Sequence, residues 1–138
     1  MYSGSFPGSI PVALTGNSPQ PVPKYPPSPD QPKTNSGSPT YPLDLYAALS
    51  SDRKFLRLAV VNATESEQDF DLNASGIRLA GPFTLSQLTG ATLDAANRVG
   101  QPPQVEIKQT AIDNVPRSLT VAPISVNIYS FPVAETAK

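Results

Sequence analysis

Residues 43–64 read LDLYAALSSDRKFLRLAVVNAT, and this stretch decides the fold class. Leu43, Leu45, Ala47 and Leu49 alternate with Asp44, Tyr46, Ala48 and Ser50, the period of two that marks a strand with one buried face. Ser51-Asp52-Arg53-Lys54 reads as a hairpin turn. The returning strand, residues 55–64, places Leu56, Leu58 and Val60 on one face. Phe55, Ala59 and Val61 make its other face partly apolar, which suits a central strand covered on both sides for part of its length.

Working towards the C-terminus, short strands recur between turn signals. Residues 69–74 set Phe70, Leu72 and Ala74 against Asp69, Asp71 and Asn73. Residues 83–88, 105–112 and 118–121 are further strand candidates. Residues 124–131 alternate Ile124, Val126 and Ile128 against Ser125, Asn127 and Tyr129. Pro123 marks a break before that last strand. Residues 91–97 (ATLDAAN) allow one or two helical turns, but no stretch sustains the 3.6-residue period over three turns. The expected fold is therefore all-β, an antiparallel β-sandwich of jelly-roll-like kind.

Working towards the N-terminus, the texture changes. Eleven of the 17 prolines precede Leu43. Each fixes φ, removes a backbone donor and biases its predecessor towards extended geometry. Residues 17–42 thus predict an extended, polyproline-like strap, with Tyr25 and Tyr41 as anchors on a neighbouring surface. Residues 10–15 have the β-branched character of one short strand. The expected organisation is a short strand plus strap over 1–42, a sandwich over 43–133 and a tail over 134–138.

Composition narrows the chemistry. The 138 residues include neither Cys nor His, so disulfides, thiolate nucleophiles, the usual zinc, haem and iron–sulfur ligands and the common neutral-pH base are missing. Ten basic residues against 11 acidic ones, a net charge of −1, give no basic footprint for nucleic acid and no polybasic membrane anchor. No run approaches the ~20 apolar residues of a membrane span. Residues 1–11 lack the charged and apolar regions of a signal peptide. Leu, Ile, Val and Phe make up about 24% of the chain, above the level at which disorder becomes the default.

Glu65, Glu67, Asp69 and Asp71 are spaced i, i+2, so an extended strand points them to one face. Such a row spreads its carboxylates over about 20 Å and has no glycine-turned loop to gather them around a cation; it reads as a solvated edge. A carboxylate pair suffices for glycoside hydrolysis, yet no Asp or Glu has an apolar neighbourhood in sequence that would raise its pKa. Gly76, Gly81, Gly90 and Gly100 are scattered turn glycines, outside any phosphate-loop pattern. Asn62-Ala63-Thr64 and Asn73-Ala74-Ser75 match the glycosylation triplet. Exposed Tyr25, Tyr41 and Tyr46 are the candidate contacts for a sugar or for a packed domain, with no Trp to join them. No catalytic, cofactor-binding or metal-binding residue is assigned.

Seven strings add a resemblance: GNSPQP (16–21), DQP (30–32), GSPTYPLD (37–44), LAVVNAT (58–64), LTGATLDAAN (88–97), RVGQPP (98–103) and VAPISVNIY (121–129). In this order they are similar to the carboxyl-terminal region of glycoside hydrolase family 51 α-L-arabinofuranosidases, over residues 10–133. Met1-Tyr2 and Ile10-Pro11-Val12 resemble the exit from the last barrel helix into the sandwich. The resemblance implies a retaining hydrolase of terminal α-L-arabinofuranosyl residues in hemicellulose and pectin, built from a catalytic (β/α)₈ barrel and a β-sandwich, with this chain as the sandwich. The family's two catalytic Glu residues lie on the barrel. Glu65, Glu67, Glu106 and Glu135 occupy no matching motif. The family's sandwich also recruits strands from before the barrel, and their lack here implies an open sheet edge or an incompletely covered core.

The sequence therefore predicts a non-catalytic sandwich supporting a barrel carried by the same or a companion polypeptide, with homo-oligomer contacts as a further role. A free-standing binding module for arabinose-containing polysaccharide and a small carboxylate-dependent glycosidase active as an oligomer are the alternatives.

Overall fold

A computed structural model describes residues 2–19, 21 and 38–134. A single helical turn, α1 (Tyr2–Ser5), precedes nine strands: β1 (Ile10–Val12), β2 (Leu43–Leu49), β3 (Phe55–Asn62), β4 (Gln68–Asp71), β5 (Arg78–Leu79), β6 (Phe83–Thr89), β7 (Glu106–Ile112), β8 (Ser118–Val121) and β9 (Ser125–Ala134). All pairings are antiparallel. One sheet has seven strands in the order β1-β2-β3-β9-β6-β7, with β5 added at the end of β9; the other has two, β4 and β8. The all-β sandwich read from the sequence is present, with layers of very unequal width.

The core lies between these layers. Leu43, Ala47, Leu56, Leu58, Val60, Phe83, Tyr129 and Phe131 from the large sheet meet Leu119 and Val121 of β8, with Phe70 of β4 packed alongside. Phe83 and Phe131 have ring centroids 4.6 Å apart, and Tyr129 stacks on Phe131 at 6.0 Å. Each such side chain contributes roughly 2–3 kcal/mol by leaving water. The face assigned to Leu56, Leu58 and Val60 is the core face, as expected.

In β9 the face that carries the polar residues of the alternation is the one turned into the core. Asn127, Tyr129 and Phe131 point into the core, and Val126 and Ile128 lie on the outer face of the sheet. Phe131 decides this, because its ring completes the aromatic cluster and fixes its alternating neighbours by parity. Asn127 is accommodated because its Nδ2 donates to Val60 O (3.3 Å) and Ser125 Oγ (2.8 Å), and Gln87 Nε2 donates to its Oδ1 (2.8 Å).

The helical turns expected over residues 91–97 do not form. Asn97 instead spends its side chain on the loop: Oδ1 accepts from Gln104 N and Val105 N, both at 2.9 Å, and Nδ2 donates to Val105 O at 2.8 Å. An Asn that satisfies backbone groups this way competes with helical hydrogen bonding. Most of the strap expected over 17–42, including Tyr25, lies outside the described residues. Its described ends meet where Ser18 Oγ donates to Pro39 O at 2.8 Å. Gly16 sits so close to the Pro39 carbonyl that a Cβ there would clash with it.

The β2–β3 turn is built as the sequence suggests. Ser50 Oγ accepts from Phe55 N (3.0 Å) and donates to Asp52 Oδ1 (2.5 Å), and Arg53 takes a left-handed φ of 58°. The Ser50 hydroxyl, aided by Lys54 N–H, holds the Asp52 carboxyl below its usual range. Ser50→Ala is expected to cost about 1 kcal/mol through the Phe55 amide it leaves unpaired. It should also shrink the acid-sensitive part of stability. A depressed folded pKa contributes above the unfolded value and is lost as pH falls through the folded one. Urea unfolding at neutral pH and near pH 3 reads both effects.

Candidate functional site

Two surfaces of the sandwich are left open. The first is a slot between the layers. The two-stranded sheet covers only part of the large one, so β4 ends in an edge that, among the described residues, pairs with β8 alone. Leu72 N donates to Arg117 O at 3.2 Å, continuing the hydrogen-bonded pairs Phe70↔Leu119 and Gln68↔Val121. Alternate residues of an antiparallel strand turn their backbone groups the other way. Asp69 and Asp71 therefore present N–H and C=O to the slot. Leu45 and Leu58 form its floor, and residues 14–19 and 39–43 form the opposite wall, enclosing about 600 Å³.

The second is the outer face of the large sheet. Here Ala48, Ala59 and Ile128 are buried, and Val61, Leu88 and Val126 are half-buried. Asp44, Arg57, Thr84, Ser86 and Ser130 share this face, so its apolar residues form a patch within an otherwise polar surface. α1 and Phe6 lie on the same face: the Phe6 ring meets Tyr46 edge-on at 5.3 Å, and the Arg57 guanidinium donates to the Ser5 carbonyl. Towards the Asn62 end of β3 the face opens into a shallow apolar groove of about 260 Å³ between Val61, Leu88, Val126 and the loop residues Leu93 and Val105.

The tyrosines expected to act as contacts are not brought together. Tyr41 is 40% exposed and lines the slot beside Asn17, Gln68 and Asn73. Tyr46 is 44% exposed on the outer face, against Phe6. Tyr25 lies outside the described residues.

The acidic row is also divided. Asp69 and Asp71 lie on β4, where Asp69 Oδ1 accepts from Thr120 Oγ1 at 2.5 Å and Asp71 stands 3.9 Å from Arg117; Glu65 and Glu67 fall in the preceding turn. Among the described residues no three acidic side chains gather as a cation site. All described carboxylates, from Asp44 to Asp113, are exposed. A general acid for glycoside cleavage needs an apolar setting that lifts its pKa, and none of these has one. The buried amides Asn62 and Asn127 and the outer apolar face were not singled out from the sequence. The paired face assignments of residues 55–61 and 124–128 held the only signal for that face.

No protein-family model and no curated relative matches the sequence. Solved structures do. The α-L-arabinofuranosidase of Thermotoga maritima, solved with arabinose, is 28% identical over 64% of this chain, with a TM-score of 0.55. The thermostable family 51 enzyme of Thermotoga petrophila is also 28% identical over 64%, at 0.56. A third arabinofuranosidase is 27% identical over 69%, at 0.59. The matched part is only 18–20% of those chains. In fold and in sequence, this chain is similar to a domain-sized portion of family 51 α-L-arabinofuranosidases.

Proposed function

We propose that the chain is a non-catalytic β-sandwich domain of an α-L-arabinofuranosidase, supporting a catalytic (β/α)₈ barrel carried elsewhere on the same or a companion polypeptide. The observation that carries this reading is the incomplete sandwich. Seven strands face two, one strand edge opens onto a slot, and the second face of the large sheet carries an apolar patch at Val61, Leu88 and Val126. A self-sufficient sandwich closes or charges such surfaces. A barrel packed on the outer face, beside α1, buries Val61, Leu88 and Val126. An extended strand from the rest of the enzyme fits the edge at Asp69 and Asp71. Under this reading the domain holds the barrel and its rim loops in place, while the two catalytic carboxylates acting on terminal α-L-arabinofuranosyl groups belong to the barrel.

The isolated chain is expected to show no turnover of an aryl α-L-arabinofuranoside. The matching barrel, added in large excess over its dissociation constant, should raise the melting temperature by roughly 5–10 °C. Turnover by the pure chain that disappears on changing one carboxylate would sink the proposal.

Tyr41 favours a second reading. A half-exposed ring lining a cleft that Asn17 and Asn73 also line offers the stacking and hydrogen bonding that sugars use, so the slot suits an arabinose-containing polysaccharide. Affinity electrophoresis on arabinoxylan and arabinan separates the readings. Retardation that is lost in Tyr41→Ala supports a binding module; unretarded migration leaves the structural role alone standing.

A further inference from the structure

The chain holds two asparagines in the Asn-X-Ser/Thr pattern, Asn62-Ala63-Thr64 and Asn73-Ala74-Ser75, and the fold treats them oppositely. Asn62 is 1% exposed and its amide is fully engaged. Its Nδ2 donates to the Ser66 and Ala122 carbonyls, and its Oδ1 accepts from Thr64 N and Thr64 Oγ1. Asn73 and Ser75 are exposed, and neither side chain makes a hydrogen bond among the described residues.

Asn73 stands two residues beyond the end of β4, in the loop that carries the chain from the small sheet to β5. Leu72 and Ile77 pack against the core on either side, so residues 73–76 form a short arch pinned at both ends. Gly76 within it takes a left-handed φ of 80°, and a Cβ there would meet nothing within 4 Å. An exposed arch of this kind is open to a modifying enzyme without unfolding of the domain.

The residue before the triplet narrows the enzyme. Oligosaccharyltransferases of the bacterial type need a carboxylate two positions before the asparagine, which a cationic side chain of the enzyme holds. Asp71 takes that position in Asp71-Leu72-Asn73-Ala74-Ser75, whereas Val60 takes it before Asn62. The Asp71 side chain is 65% exposed, and its contact with the exposed Arg117 is 3.9 Å long. An exposed pair of that length is weak and gives way to a better partner.

We propose that Asn73 is a glycan acceptor, modified by an oligosaccharyltransferase of that type with a polyprenyl-diphosphate-linked oligosaccharide as donor. The Asn73 amide nitrogen attacks the anomeric carbon of the first sugar. The new N–C bond forms as the C–O bond to the diphosphate breaks. The polyprenyl diphosphate leaves with the electron pair, and the amide gives up one proton to the enzyme. Asn73 also lines the slot, so the glycan stands at the slot's rim. The inference is independent of what the domain supports.

The folded full chain, incubated with a purified bacterial oligosaccharyltransferase and its lipid-linked donor, is expected to gain the mass of one glycan. Cleavage after Glu65 and Glu67 separates the two triplets, and the glycan should lie on the fragment that begins at Gln68. Asn73→Gln, Ser75→Ala and Asp71→Ala, all at exposed sites, should each abolish the gain, and Asp71→Glu should retain it. A folded chain left unmodified by an enzyme that is active on another acceptor overturns the proposal. So does a glycan on the fragment that holds Asn62, or a gain in mass that survives Asn73→Gln or Asp71→Ala.

Discussion

Asn62→Ala is expected to destabilise the domain by about 2 kcal/mol, a substantial fraction of the stability of an ordinary domain. Asn62 is 1% exposed at the end of β3. Its Nδ2 serves three carbonyls: Ser66 at 2.9 Å, Ala122 at 3.0 Å and Val121 at 3.3 Å. Its Oδ1 accepts from Thr64 N at 3.0 Å and Thr64 Oγ1 at 2.7 Å. One side chain thus ties the loop leaving β3 to the loop between β8 and β9, and so ties one layer to the other. Alanine leaves the Thr64 amide without its partner and takes one donor from three carbonyls, of which Ser66 O keeps Thr64 Oγ1 and Ala122 O keeps Ser125 Oγ; the orphaned amide costs about 1–3 kcal/mol. Asn62→Asp keeps the Thr64 contacts but loses the three donated bonds and faces carbonyl oxygens with a carboxylate, so it should be as damaging. Urea unfolding with an unchanged slope measures the loss, and a change under 1 kcal/mol would contradict this account. The same enclosure removes Asn62-Ala63-Thr64 from consideration as a glycosylation site, whereas Asn73 is exposed.

Tyr129→Phe is expected to act in the opposite direction. Tyr129 is 1% exposed, and its hydroxyl has no hydrogen-bond partner among the described residues. Burial pushes its pKa up to about 12. A buried hydroxyl without a partner costs about 1–3 kcal/mol, and phenylalanine keeps the ring stacked on Phe131 while removing that cost, so a gain of about 1 kcal/mol follows. The alkaline limb provides a second reading. The unfolded chain releases this proton near pH 10 and the folded chain only near 12. Stability is therefore full below pH 10 and is lost as pH rises from 10 towards 12, by roughly 2–3 kcal/mol from this group. Denaturant titrations at pH 9 and pH 11.5 should show that loss in the parent and a much smaller one in Tyr129→Phe. Equal losses in the two proteins would mean that the hydroxyl finds a partner.

The strands were legible because alternation is a local property. Leu43 to Leu49 and Leu56 to Val60 declared both their conformation and their buried face. Other features depended on residues far apart in the chain. The inward side of β9 was fixed by Phe131 meeting Phe83, and no count of polar against apolar residues along β9 contains that contact. Nothing local marked Asn62 and Asn127 as buried, because the carbonyls that hold them include ones some sixty residues away. β5 has only two residues and gave no periodic signal. The loop at Asn97 looked helical because Ala, Leu and Asp suit a helix, while the competing side-chain bonds depend on Gln104 and Val105 returning beside it. Of the candidate contacts, Tyr41 and Tyr46 are exposed. Their separation onto the slot and the outer face followed from β2 alternation and from the path of residues 14–19, which composition does not specify.

The position of β9 has a consequence for biogenesis. β9 is the last of the described strands in chain order, and it lies between β3 and β6 in the large sheet. Until it emerges, β1-β2-β3 and β6-β7 are two fragments with no hydrogen-bonded junction between them, and the aromatic cluster lacks both Tyr129 and Phe131. The sheet cannot assemble progressively during synthesis; it closes in one late event that joins segments far apart in the chain, a slow class of folding step. Nascent chains arrested before residue 125 should accordingly be open to proteases across this domain, and emergence of the ten-residue β9 should protect the whole domain at once.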